Sequence, residues 1–271
     1  MAEHLHRENE EKSGAASTIP STMAVLAGGL GTRLRRVVVD RPKVLAPVAG
    51  RPFLDYVLAY LTWQGLREVI LCVGHLAEQV QRFAGDGRRW GLQVRYSIEQ
   101  APLGTGGALH QVSQALSRPF FAMNGDTLFL ADLQALWKTH LARQAAATLA
   151  LLPVQDWQSR GSVTLAEDGT ITAFDEKPDQ GWLADPAPVL VNGGIYVINP
   201  GALAFIQPGR AISIEREVFP ILADQGRLAG LVQAAYFADI GTPESLAAFE
   251  QDLIAGAISF DKDSIKSKLQ D

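Results

Sequence analysis

From Met23 onward the chain alternates short β-branched apolar runs with longer stretches of helical periodicity. That alternation restricts it to an α/β domain with a mainly parallel sheet. A parallel strand buried on both faces reads as a continuous apolar run, and the return to its neighbour needs a crossover helix. The predicted strands are MAVLA, EVILCVG, QVRYSIE, PFFAMNGD, ATLALLPV, VLVNGGIYVIN and VQAAYFADI, and SVTLAEDGTITAF reads as a hairpin turned by Asp168-Gly169. Helices fill most gaps before Ala146, and hairpin and irregular segments dominate after it. The expectation is a Rossmann-like mixed, mainly parallel sheet flanked by helices, with a nucleotide-type first half and a more antiparallel second half sharing one sheet. Neither a linker nor a repeat divides the two.

Composition narrows the partners. With 24 basic against 29 acidic residues and a net charge of -5, the chain offers no overall field for a polyanion, so nucleic acid is not expected. The single cysteine, Cys72, sits in an apolar run and reads as a small buried hydrophobe. Residues 1–22 are charged and small, without the apolar centre of a signal peptide or membrane span, and read as a disordered extension. A single domain over 23–256 and a C-terminal tail over 257–271 complete the expected organisation. A homo-oligomer is compatible with this composition. The histidines show no metal-ligand spacing, His75 is expected to open a helix, and Trp63 and Trp137 read as packing residues.

The stretch LAGGLGTRLRRVVVDRPK, Leu26 to Lys43, follows the first predicted strand directly and precedes a segment able to start a helix. In that context backbone N–H groups converge on a phosphate. It is not a P-loop, because no lysine followed by Ser or Thr stands at the required spacing. It also fails the dinucleotide fingerprint, since Leu34 occupies the place of the third glycine. Arg33, Arg35, Arg36, Arg41 and Lys43 nevertheless carry enough positive charge to neutralise a triphosphate. The plain alternative is a solvated basic turn.

LAGGLGTRL followed by RPKVLAPVAGRP resembles the signature of the sugar-1-phosphate nucleotidylyltransferases, and the likeness runs from about Met23 to Glu250. Further motifs come in the family's order: GDGRRWGLQVRYSIEQAPLGTGGAL, MNGDTL, FDEKP, VNGGIYVIN and FADIGTPES. Two positions depart from it: the family commonly has proline at Arg36 and at Val44. The resemblance implies the nucleotide-diphospho-sugar transferase fold. It also implies in-line attack by a sugar 1-phosphate on the α-phosphorus of a nucleoside triphosphate, with Mg²⁺ as cofactor.

By the same resemblance, Leu26, Ala27, Gly28, Gly29, Gly31 and Thr32 belong to the nucleotide site. Arg33 would hold the β- and γ-phosphates and Lys43 the α-phosphate. Asn124 and Gly125 would belong to the nucleotide site as well. Asp126 and Asp239 would be the Mg²⁺ ligands. The plain reading of Asp126 is a turn-forming aspartate; for Asp239 it is a helix cap, which Thr242-Pro243-Glu244 makes unnecessary. Glu176 and Lys177 would meet the sugar phosphate, where an exposed turn is the plain alternative. Asn192-Gly193 would contact the sugar, where a β-bulge is the plain alternative.

The family reads the base with the segment holding Glu99, Gly104 and Thr105. An ionised carboxylate only accepts hydrogen bonds and matches the adjacent N1–H and N2–H₂ donors of guanine, so Glu99 leans toward GTP. Taken together, GTRLRRVVVDRPK, GRPFLDYVLAYL, PLGTGGAL, MNGDTLF, SRGSVTL and VNGGIYVIN most resemble the D-glycero-α-D-manno-heptose 1-phosphate guanylyltransferases. That likeness implies a cytoplasmic enzyme, without membrane attachment, that forms GDP-heptose from GTP and a heptose 1-phosphate. Mannose 1-phosphate guanylyltransferases and N-acetylmuramate 1-phosphate uridylyltransferases stand nearby. A regulatory subunit of the same fold without catalysis is disfavoured, because Arg33, Lys43, Asp126, Lys177 and Asp239 are all present.

Overall fold

Strand β1 (Thr22–Leu26) is apolar along its length and lies near the middle of the sheet, flanked in parallel by β2 (Glu68–Val73) and β4 (Phe120–Asn124). The computed structural model describes residues 19–29, 34, 40–155, 161–176 and 188–260. Strand β3 (Gln93–Ile98) pairs in parallel with the outer side of β2. Three helices serve this half: α1 (Phe53–Trp63), α2 (Ala77–Ala84) and α3 (Gly104–Ser113). Successive residues of β1 feed opposite cores. Met23 and Val25 join the cluster that holds Phe53, Tyr60 and Leu61 of α1, and Ala24 joins the cluster that holds Ala108, Leu109 and Val112 of α3. His75 lies in the turn before α2. Cys72 is fully buried, and burial pushes its thiol far up.

After β4 the chain makes a tight turn into β5 (Thr127–Phe129) and then α4 (Leu133–Arg143), capped by the Asp132 side chain, which accepts from Ala135 N–H. Strand β6 (Ala147–Val154) follows. The hairpin read around Asp168-Gly169 is present as β7 (Ser162–Leu165) and β8 (Ile171–Asp175), with Gly169 at φ +85°. Strand β9 (Val189–Ile198) is the pivot of the molecule. One of its edges pairs antiparallel with β6 along nearly the whole length. The other pairs with β7 at Leu190–Val191 and with β4 at Ile195–Ile198. The parallel and antiparallel halves therefore share one sheet, ordered β8-β7-β9-β4-β1-β2-β3, with β6 and β10 (Leu228–Val232) attached through β9.

VQAAYFADI does not form the single strand expected of it. Val232 ends β10, and the chain leaves the sheet at Gln233, whose side chain holds the Asp132 backbone from both sides. Phe237–Asp239 then forms β11, a separate antiparallel partner of β5. No glycine or proline marks the break, and a single glutamine in a mostly apolar run does not announce it. A short helix α5 (Phe219–Asp224) leads into β10, and helix α6 (Pro243–Ile254) starts where the sequence indicates, with Thr242 and Ser245 forming a reciprocal cap. Beyond α6, Ile258 is buried and Phe260 packs edge-on against Tyr56 of α1, ring centroids 5.2 Å apart. Among the described residues no helix is long and apolar enough to cross a membrane.

Candidate active site

The two cavities that matter both open at the carboxyl end of β4, the first at that of β1 as well, where an open α/β sheet receives its ligand. The first, of about 300 Å³, lies between the turn after β1 and the start of α3. Leu26, Ala27, Gly28 and Gly29 form one wall, and Glu99, Gly104 and Thr105 another. The N–H groups of Gly28 and Gly29 make no hydrogen bond among the described residues, so they remain available to an anion. Gly31, Thr32 and Arg33, predicted for the same loop, lie outside the described residues, as does Lys177.

The glycines here serve different ends. A Cβ on Gly28 would stand 2.6 Å from Glu99 Oε1, so that glycine lets the carboxylate sit against the loop. Gly29 faces open space. Gly104 has φ +68°, a conformation that side chains rarely adopt, and a Cβ there would collide with the Ile212 carbonyl. Glu99 Oε2 accepts the Leu103 N–H at 3.0 Å, and burial raises its carboxyl above the ordinary range, only partly opposed by that bond.

The second cavity, of about 230 Å³, occupies the fork where β7 and β4 share the edge of β9. Glu176, Asn192, Gly193 and Asp239 line it, and Asn124 and Asp126 line both cavities. Lys43 Nζ donates to Asp126 Oδ2 at 2.6 Å, with the lysine side chain only 12% exposed. The β5–β11 ladder sets Asp239 opposite Thr127, while Ile240 N–H donates to the Asp126 carbonyl at 2.9 Å. Two aspartates separated by over a hundred residues thus flank one point beside a lysine. Two carboxylates with room for phosphate oxygens suit Mg²⁺, which is held by few carboxylates plus substrate rather than by an all-protein cage. Asp239 also accepts the Gly241 N–H at 2.9 Å, which holds it at the end of β11 rather than on the following helix.

Three of the expected site residues also serve the scaffold. Gly125 donates its N–H to the Leu26 carbonyl at 3.0 Å, and a Cβ there would stand 2.6 Å from that oxygen, so this residue fastens β4 to β1 with its N–H. Gly193 turns its bare Cα toward the Phe129 ring, where a Cβ would come within 2.6 Å, so its missing side chain makes room for packing. Asn192 spends its amide on the Tyr196 hydroxyl and on the Gly194 N–H, both at 2.9 Å. It braces a bulge at this point, with Gly194 at φ +75°.

Glu215, a buried carboxylate, also lines the second cavity and carries no signal in the sequence. SIEREVF carries no motif that marks one of its acids as inward-facing.

Comparison with known proteins fixes the class. Residues 23–256 match the family model for nucleotidyl transferases, and the chain belongs to that family. Enzymes of the family generally use a divalent metal. The chain is 36% identical over 230 residues to the D-glycero-α-D-manno-heptose 1-phosphate guanylyltransferase of Aneurinibacillus thermoaerophilus, an alignment that covers 84% of this chain and 96% of the relative. It is 38% identical over 235 residues to the mannose-1-phosphate guanylyltransferase of Mycobacterium tuberculosis, covering 86% of this chain but only 64% of that longer protein. Among solved structures, HddC from Yersinia pseudotuberculosis superposes with a TM-score of 0.74 at 28% identity, covering 85% of this chain and 98% of that one. HddC has also been solved in complex with GMP-PN.

Proposed function

We propose that the chain transfers GMP from GTP to a manno-configured sugar 1-phosphate, foremost D-glycero-α-D-manno-heptose 1-phosphate, releasing pyrophosphate in the cytoplasm. The observation that carries the reading is the meeting of Lys43, Asp126 and Asp239 at the junction of the two cavities. Reacting groups delivered from opposite sides would meet there. The guanylyltransferase relatives favour guanine and a sugar of this kind, since the mannose and manno-heptose named for them share a ring configuration.

In this reading the N–H groups of Gly28 and Gly29 cradle the triphosphate, and Lys43 leaves Asp126 to neutralise the α-phosphoryl group. Arg33 offsets the charge that builds on the departing pyrophosphate. A phosphate oxygen of the sugar 1-phosphate attacks the α-phosphorus; that P–O bond forms as the α–β bridge breaks. The attacking oxygen is already ionised, so no general base is needed. Asp126 and Asp239 would hold Mg²⁺, which would supply further charge neutralisation at the triphosphate. Glu99 Oε1, unbonded among the described residues, accepts from the guanine edge, while Glu176 and Lys177 orient the sugar phosphate.

Pyrophosphate release should be measured with GTP, UTP and dTTP, each paired with mannose, manno-heptose and N-acetylmuramate 1-phosphates. Turnover confined to GTP and a manno sugar is expected. Turnover with UTP and N-acetylmuramate 1-phosphate would overturn the base and sugar assignment, and no turnover with any pair would overturn the transfer itself.

A further inference from the structure

We propose that Glu215 is a sugar-recognition residue that also ties the sugar cavity to the nucleotide cavity. This rests on the transfer reading above and adds a contact that reading does not use. Glu215 is 8% exposed, and it lines the cavity at the fork of β9 on the opposite chain segment from Glu176. Its Oε2 accepts two hydroxyl hydrogens, from Thr105 at 2.6 Å and Ser213 at 2.8 Å. Its Oε1 has no hydrogen bond among the described residues. A buried carboxylate with one oxygen saturated and the other unclaimed beside a polar cavity is an acceptor awaiting a donor. A sugar offers hydroxyl donors.

The local backbone places this carboxylate. Glu215 sits in a single π-helical turn, Ile214–Val218, and such widened turns re-aim side chains and recur at functional sites. Ser213 caps the turn, its hydroxyl accepting from Arg216 N–H. The neighbouring Tyr196 phenol is pushed well above its ordinary range, mainly by burial and further by Glu215, and it stays a neutral partner for Asn192.

Thr105 provides the tie. It stands in the first turn of α3, lines the nucleotide cavity, donates to Glu215 and accepts the Ile214 N–H at 2.9 Å. Gly106 N–H and Ile212 N–H add backbone bonds between α3 and the segment leading to Glu215, each 2.8 Å. Nucleotide bound against the start of α3 therefore bears on the segment that presents Glu215 to the sugar.

The test compares wild type with Glu215→Gln and Ser213→Ala. Gln keeps an acceptor for the two hydroxyls but presents an N–H₂ where the free carboxylate oxygen stood; Ser213→Ala keeps the charge and removes one of its two anchors. For Glu215→Gln, KM for the manno sugar 1-phosphate that wild type uses should rise about 10- to 100-fold, the scale of one hydrogen bond to a charged acceptor. Affinity for GTP alone should change by less than about threefold. Ser213→Ala should show a smaller rise in the same constant. With monodeoxy versions of the sugar 1-phosphate, the penalty of either variant should vanish for the one lacking the hydroxyl that Glu215 accepts, because the two deletions then remove the same interaction.

An equal penalty across all the deoxy sugars, or a parallel loss of GTP affinity, would make Glu215 structural and overturn the inference. Ser213→Ala carries the same test if Glu215→Gln does not fold. An inactive wild type would overturn the transfer reading and this inference together, which is distinct from an active wild type indifferent to both substitutions.

Discussion

Glu99 shows what a single residue can and cannot reveal in a sequence. Its charge and its place in a base-reading segment were legible, but its burial was not, since the carboxylate is desolvated by the loop that holds Gly28. Burial raises the Glu99 carboxyl, so its contribution to stability is present below the unfolded value near 4.5 and is lost as pH rises through the folded value. Thermal denaturation of the ligand-free protein should therefore show wild type losing ground to Glu99→Gln between pH 4 and pH 7. A gap that stays constant would mean the side chain is solvated. At pH 7 the same variant should bind GTP about tenfold or more weakly by calorimetry, having lost an acceptor for two guanine donors. At Asp126 the expectation concerns turnover: Asp126→Asn should lower kcat about 100-fold or more with little change in Tm, because a charge at the reacting centre is removed from a partly exposed turn. Wild-type turnover would take Asp126 out of the mechanism.

The elements were easier to recognise than their pairings. Strands β1, β2 and β4 could be read because parallel strands buried on both faces announce themselves as apolar runs, whereas β3, at the edge of the sheet, mixes polar and apolar residues. The end of β10 could not, because side-chain hydrogen bonds from Gln233 to Asp132, distant in sequence, pull the chain off the sheet. Gly193 makes the same point within β9. Sequence alone cannot show that this glycine packs against the Phe129 ring, which only the fold places there. Gly193→Ala should cost about 1–3 kcal/mol in urea denaturation, the usual penalty for forcing a methyl group against a fixed ring. A neutral effect would mean that Phe129 moves aside freely.

For the molecule as a whole, the chain after α6 closes the core. Ile258 is 3% exposed within the cluster around α1, and Phe260 covers Tyr56. Ile258→Ala should destabilise the protein by about 2–5 kcal/mol by leaving a cavity there, read from chemical denaturation, with catalytic constants unchanged in the fraction that remains folded. Stability within about 0.5 kcal/mol of wild type would show that this segment is dispensable to packing. The sequence gives little hint of that role, since Ile258 and Phe260 stand among small residues and carry no helical or strand periodicity of their own.

By itself the sequence determined the α/β class, the glycine-rich turn after the first strand, the hairpin at Asp168-Gly169 and the charged residues around which a phosphoryl-transfer site could be built. These are local properties: apolar period, turn chemistry and residue type. Only the tertiary structure decided that Asp126 and Asp239 stand together, that Asn192 and Gly125 hold the scaffold beside the cavities, and that Glu215 lines the second cavity. Each of those outcomes depends on which strands pair across long stretches of chain, and pairing is settled by burial and register summed over the whole sheet rather than by any residue's near neighbours.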